Sequence, residues 1–294
     1  MKLLVLGAGF SGRAILSELA PECESAIGTT RSEGKRALIE ATGAKSLIHD
    51  GAISDELAAA MASATHLVQS IAPDHQAETG SGDPVLENLK GRFSQVFPAL
   101  QWVGYLSTVG VYGDHDGRWI DEDAECRPVS GRSKARLAAE EDWRLAAAGA
   151  GRPLAIIRLS GIYGPGRNGF VNLAAGKARR LVKPGQVFNR IHVADIAGAT
   201  TMLARGQVPG VFNVTDDKPA PPQDVVEEAA RISGFGLPPE TDFETADLSP
   251  MARSFYGENK RVSNARIKEA GYAFRYPDYR AALAALWSEG TWQD

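Results

Sequence analysis

Cysteine is nearly absent from this chain. Cys23 and Cys126 are the whole complement among 294 residues. Two isolated thiols exclude a disulfide framework or a thiolate metal site and suit a reducing compartment. The five histidines, His49, His66, His75, His115 and His192, are scattered without an i, i+4 pair, so no metal is expected. No run approaches the roughly 18 apolar residues that a membrane span needs. The chain enters a strand-like run at once with no leader pattern before it. The expectation is a cytoplasmic protein without a membrane partner. An excess of basic charge is also missing. The formal net charge of −4 argues against a nucleic-acid partner, which usually meets a basic surface. The densest basic cluster, Lys177, Arg179, Arg180 and Lys183, reads as a solvated helix face, as does the acidic triplet Glu140-Glu141-Asp142.

What the chain does have is alternation. Apolar strand-like runs at Leu3–Leu6, Ser25–Thr29, Ser46–His49, His66–Ser70, Trp102–Leu106, Ala155–Leu159 and Val211–Val214 are separated by helical stretches. Those stretches lie near Ser11–Ala20, Gly34–Thr42, Asp55–Ala62, Val85–Phe97 and Ser133–Ala148. This pattern predicts an α/β fold of Rossmann type, a doubly wound parallel sheet covered on both faces. Right-handed crossovers place ligands at the carboxyl ends of the strands. The alternation loosens after Gly164-Pro165-Gly166. Residues 1–165 with 190–215 are expected to form the dinucleotide-binding domain, and 166–189 with 216–294 a smaller C-terminal lobe.

The first strand runs into Gly7-Ala-Gly9-Phe10-Ser11-Gly12 and then a helix-forming stretch. A GxGxxG framed by strand and helix is a dinucleotide-binding fingerprint. Gly7 permits the tight turn, Gly9 lets backbone approach a pyrophosphate, and Gly12 lets helix and strand pack closely. The helix N-terminus presents free N–H groups and positive dipole to the phosphates. NAD-preferring folds place a carboxylate at the end of the second strand; none stands in Gly28-Thr29-Thr30-Arg31-Ser32. Arg31 is suited to a 2′-phosphate and to stacking on adenine, with Thr30 and Ser32 as hydroxyl donors. NADP is therefore expected over NAD. Asp50 and Ser70, at the ends of the third and fourth strands, complete the expected cofactor contacts. Asp50 equally suits capping its own turn.

Further along, Ser107-Thr108 precedes Val111-Tyr112-Gly113, and Ser130-Gly-Arg-Ser133-Lys134 follows. Then come Arg158-Leu-Ser-Gly-Ile-Tyr163-Gly-Pro-Gly, His192-Val-Ala-Asp195 and Val211-Phe-Asn213-Val. Together with the glycine turn, this ordered set resembles the extended short-chain dehydrogenase/reductases of the NAD-dependent epimerase/dehydratase group, well over about residues 1–215 and loosely beyond. The resemblance implies hydride transfer on a sugar, sugar nucleotide or small carbonyl or polyol, with substrate choice residing in the C-terminal lobe. It implies Thr108 as the donor to the reacting oxygen and Lys134 as the ribose-binding lysine. The position of the catalytic tyrosine falls on Ser130. A phenol titrates near pH ~10 and is brought towards neutrality by a nearby ammonium. An aliphatic alcohol lies well above it and makes a poor proton shuttle. The chain thus resembles the atypical members that keep the cofactor fold and lose the tyrosine. Tyr112, Tyr163 and Tyr256 are the other phenols weighed as substitutes. A non-catalytic NADP-binding sensor or scaffold remains the rival reading. His192 and Asp195 are expected to fix a buried turn, and Asp121-Glu122-Asp123 to be a solvated acidic loop. Relatives often form homodimers through two helices per subunit, a role open here to Val85–Phe97 and Ser133–Ala148.

Overall fold

The computed structural model describes residues 1–77 and 81–293. The chain divides into two compact units. One comprises 1–111, 128–159 and 196–212; the other comprises 112–127, 160–195 and 213–294.

The first unit is built on a parallel sheet. Its first five strands are β1 (Lys2–Leu6), β2 (Ser25–Thr30), β3 (Lys45–Ile48), β4 (His66–Gln69) and β5 (Trp102–Thr108). Strands Leu154–Leu159 and Gly210–Val214 extend it, in the spatial order Gly210–Val214, Leu154–Leu159, β5, β4, β1, β2, β3. Each of the seven strands falls on one of the apolar runs in the sequence, with β3 ending at Ile48 and β4 at Gln69, one residue short of the expected His49 and Ser70. Leu3 to Leu6 are all buried, as a central parallel strand covered on both faces requires. The helices are α1 (Phe10–Leu19), α2 (Arg36–Glu40), α3 (Asp55–Ser63), α4 (Pro84–Leu89), α5 (Phe93–Val96) and α6 (Gly131–Gly149). Val5 and Gly28 meet α1, and Gly28 also meets Ile39 of α2. On the other face Leu4, Leu6, Leu67, Val103 and Tyr105 share one core with Leu57, Phe93, Phe97 and Trp143. Inside that core Asp83 caps α4 through the amides of Val85 and Leu86 and accepts from Trp143 Nε1 at 2.8 Å.

Two helix expectations need correction. Val85–Phe97 is not one helix: Lys90 adopts φ +48° and Gly91 φ +76°, a left-handed stop that separates α4 from α5. The expected Gly34–Thr42 helix is a 3₁₀ turn over Glu33–Lys35 followed by the short α2.

The second unit holds three two-stranded parallel pairs: Trp119–Ile120 with Arg261–Val262, Gly161–Tyr163 with Arg190–His192, and Arg180–Val182 with Glu240–Asp242. Helices Gly169–Ala174, Pro222–Ser233 and Tyr279–Ser288 pack around Phe170, Ala229, Tyr279 and Leu283, with Trp287 and Trp292 alongside. The Lys177–Lys183 cluster is no helix face. Arg180 lies in a strand and pairs with Glu227 and Glu240, while Lys183 donates to the Tyr256 carbonyl. Among the described residues no helix is long and apolar enough to cross a membrane.

Candidate functional site

The carboxyl end of β1 turns sharply at Gly7, whose φ is +84°. A Cβ there would lie 2.8 Å from Ile71 Cγ1 and 3.3 Å from the Ser70 carbonyl carbon, so glycine is required and Ser70 stands beside the turn. Thr29 ties the turn to β2: its hydroxyl accepts the Gly7 amide at 2.9 Å and its carbonyl accepts the Ala8 amide at 2.7 Å. At Gly12 a Cβ would come within 2.8 Å of the Gly7 carbonyl oxygen, so close helix–strand packing demands glycine there too. Gly9 is different. Its φ of −75° is open to any residue, and a Cβ would meet nothing within 4 Å. The chain's own packing accounts for the outer two glycines and not for the middle one, which leaves an open floor under the turn. The N-cap residue of α1, Gly9, has no side chain to cap it, no acidic residue stands in the first turn, and among the described residues no side chain bonds the leading amides. The leading amides and the positive end of the dipole are left without protein compensation.

The neighbouring strand ends bring the other predicted contacts to the same edge. Thr30 is half-buried and its Oγ1 accepts the Ser32 amide at 3.2 Å. Arg31 and Ser32 are exposed, and Arg31 makes no hydrogen bond or ion pair with the described residues. The next arginine, Arg36, is by contrast bound to Ser46 and Glu33. The Ser70 amide donates to the Leu6 carbonyl at 2.9 Å. Asp50 is exposed and its Oδ1 accepts the Ala52 amide at 3.4 Å, the turn-capping alternative.

Thr108 closes β5, half-buried, with its Oγ1 accepting the Gly110 amide at 3.1 Å. Gly110 fills the narrow space between Thr108 and the start of α6. A Cβ on it would lie 2.9 Å from Ser133 Oγ and 3.3 Å from Thr108 Oγ1. Ser130 is the N-cap of α6. Its Oγ accepts the Ser133 amide at 3.1 Å and its hydroxyl donates to Ser133 Oγ at 2.9 Å. The position of the expected tyrosine is thus spent on starting a helix. Lys134 is exposed in the first turn of that helix, its amide bonded to the Ser130 carbonyl at 3.0 Å.

Glu140 corrects the sequence reading outright. It is buried, accepts the Ser107 hydroxyl at 2.5 Å, and receives Arg158 Nε and Nη2 at 3.1 and 2.7 Å. This triad locks the residue next to Thr108 to the middle of α6. The signal was in the spacing: Glu140 shares its helix stripe with buried Ser133, Trp143 and Ala147, the helical period of a core face.

The three phenols weighed as substitutes, Tyr112, Tyr163 and Tyr256, belong to the second unit. Tyr112 is fully buried and donates to Asn213 Oδ1 at 2.8 Å. Tyr256 stacks on Phe243 with ring centroids 4.7 Å apart. Burial pushes the phenols of Tyr163 and Tyr256 above their ordinary range, opposite to what a proton acceptor near neutral pH needs. Burial also lowers His192 to about 4, and its Nδ1 accepts the Ala194 amide. Asp195 accepts the Tyr272 hydroxyl at 2.8 Å and the amides of Arg275 and Tyr276. Both residues hold a buried turn. Glu122 is not solvated, unlike its exposed neighbours Asp121 and Asp123: it is buried and accepts the Asn213 amide at 2.8 Å. Among the described residues no group of three His, Cys, Asp or Glu side chains is placed to hold a metal ion.

Comparison with known proteins follows the same outline. A structure of a functionally unknown conserved protein from Silicibacter pomeroyi is 45% identical, with 98% of each chain covered and a TM-score of 0.87. A human epimerase family protein, SDR39U1, solved with NADPH, is 20% identical over 97% of this chain and 98% of its own, at a TM-score of 0.73. UDP-glucuronic acid 4-epimerase from Bacillus cereus, solved with NAD, is 17% identical over 98% and 96%, at 0.75. At these low identities the last two share the fold. No curated protein matches the chain. The model of the NAD dependent epimerase/dehydratase family matches residues 3–215, and the chain belongs to that family.

Proposed function

We propose that the protein binds a nicotinamide dinucleotide at the Gly7–Gly12 turn and acts as an NAD(P)-dependent oxidoreductase of the epimerase or reductase type. Its substrate class is a sugar, a sugar nucleotide or a small carbonyl or polyol. The observation that carries the reading is Gly9, a glycine that the protein's own packing does not require, set before a helix whose leading amides no described side chain caps. The residues fit the group. The amides of Phe10, Ser11 and Gly12 suit the diphosphate, and Ser70 flanks the turn. Arg31, exposed and uncommitted beside Thr30 and Ser32, favours the extra phosphate of NADP. Fold neighbours have been solved with NADPH and with NAD, so the choice between them rests on Arg31.

When bound, the nicotinamide supplies hydride donation and acceptance. The chain's part is positioning. Thr108 orients the oxygen of the reacting carbon with its hydroxyl. Lys134 projects from the first turn of α6 towards solvent, free to bond a ribose and add positive charge. The Ser107–Glu140–Arg158 triad keeps the tip of β5 against α6, so that Thr108 and Lys134 keep their spacing. Ser130 holds the helix start and moves no proton. That commitment favours a second reading, an NADP-binding sensor or scaffold without turnover.

Calorimetric titration with NADPH and NADH at equal salt, followed by a screen of sugars and carbonyls with bound cofactor, tests both. The expected result is tighter binding of NADPH and consumption or isomerisation of at least one substrate. Binding without any turnover moves the assignment to the sensor reading. Failure of both nucleotides to bind overturns both.

A further inference from the structure

The second unit contains a cavity of about 390 Å³, within the range of small-molecule sites. It uses none of the residues assigned above to the dinucleotide. One wall is apolar: Val171, Val225, Val226 and Leu283 line it. The polar part of the lining includes Arg190 and Tyr163, together with Arg167, Asn168, Asn172 and Tyr279. Arg190 and Tyr163 sit on adjacent paired strands, with His192 matched to Tyr163 in the register.

Arg190 is held by its backbone surroundings rather than by a counter-charge. Its Nη1 donates to the carbonyls of Phe188 and Ala220, both at 3.0 Å. Among the described residues no carboxylate oxygen lies within ion-pairing distance of it. Burial pulls its guanidinium below the usual arginine range, a sign of a charge taken out of water. The largest acidic influence on it is that of Asp216, whose Oδ1 is engaged by the Lys218 amide, whose buried Oδ2 has no hydrogen-bond partner among the described residues, and which makes no ion pair. The Tyr163 hydroxyl is buried and has no hydrogen-bond partner among the described residues. A desolvated cation with no carboxylate at ion-pairing distance and an unmet hydroxyl are both costly. An anion between them would relieve both. Arg167, exposed and also lining the cavity, adds a second positive charge.

We propose that this cavity binds a small organic anion: a carboxylate or phosphate head taken by Arg190 and Tyr163, on a short aliphatic body lying against the valines and Leu283. The planar guanidinium, fixed through one nitrogen, keeps its other N–H groups for the two oxygens of such a head.

The test is calorimetric titration of the full chain with hexanoate, hexyl phosphate and hexanol. At least one of the two anions is expected to bind at a single saturable site, at least tenfold more tightly than the alcohol. Comparison of the two anions tells a carboxylate site from a phosphate site. Arg190→Met should lose at least tenfold in affinity for that anion while NADPH titration is unchanged. Tyr163→Phe should lose several-fold. Val225→Trp, which fills the apolar part, should abolish binding and keeps the question decidable if Arg190→Met does not fold. Equal binding of hexanol, undiminished anion binding in Arg190→Met or in a folded Val225→Trp, or no binding of either anion would overturn the proposal.

Discussion

Arg158 Nη2 lies 2.7 Å from Glu140 Oε2, and the two side chains are only 6% and 1% exposed. A buried pair of this kind is weak evidence for net stability, but removing one partner strands the other charge at a cost of about 3–5 kcal/mol. Glu140→Ala should therefore lower stability by that order in urea unfolding. It should also loosen the Ser107 anchor beside Thr108. A change under about 1 kcal/mol would show that the pair is not buried as described.

The glycines of the turn should separate fold from ligand binding. Gly9→Ala is expected to leave stability unchanged or raise it by up to about 1 kcal/mol, while weakening nucleotide affinity at least tenfold. Gly12→Ala forces a methyl against the Gly7 carbonyl at 2.8 Å and should cost about 1–3 kcal/mol. Thermal melts beside NADPH titrations read both effects. Gly9→Ala with full affinity would remove the observation on which the dinucleotide reading rests.

Arg31→Ala should weaken NADPH by about tenfold or more, roughly 1.4 kcal/mol, and leave NADH within about twofold. Equal losses for both would assign Arg31 to adenine stacking instead of the 2′-phosphate.

Ser130→Ala removes the N-cap of α6 and should cost about 1 kcal/mol, with little effect on any turnover found. A large fall in kcat without a fall in stability would return Ser130 to the proton-transfer step.

Asp216 gives a pH signature. Burial raises its carboxyl to about 7 from 3.8, while the Lys218 amide and the Arg190 charge pull the other way. The native state then binds more protons than the unfolded chain between about pH 4 and 7, so this group's contribution to stability falls as pH rises through that window. The stability difference between Asp216→Asn and the parent should move in the variant's favour from pH 4 to 7 and level off above. His192, held low by burial at about 4, acts oppositely: its contribution is lost as pH falls below about 6.5.

The sheet was legible because a buried parallel strand leaves a compact apolar run. The turn was legible because Gly7 and Gly12 are forced by backbone geometry. Glu140 was misread because the triplet Glu140-Glu141-Asp142 looks uniformly charged, although helical spacing puts only Glu140 on the Trp143 side. The break at Lys90-Gly91 was missed because the apolar pattern continues across it from Leu89 to Phe93. The second unit was hardest. Its paired strands are two or three residues long, too short for any periodicity. The Arg190 cavity assembles from segments that are far apart along the chain.

Gly9 has a practical consequence for engineering. Because a methyl group there would meet nothing within 4 Å, selection for heat resistance alone should accept substitutions at that site and enrich them as silent improvements. With Gly9 under the nucleotide as proposed, a library screened only for survival of heating would drift towards well-behaved proteins blind to their nucleotide, and each round would need a ligand-capture step to prevent it.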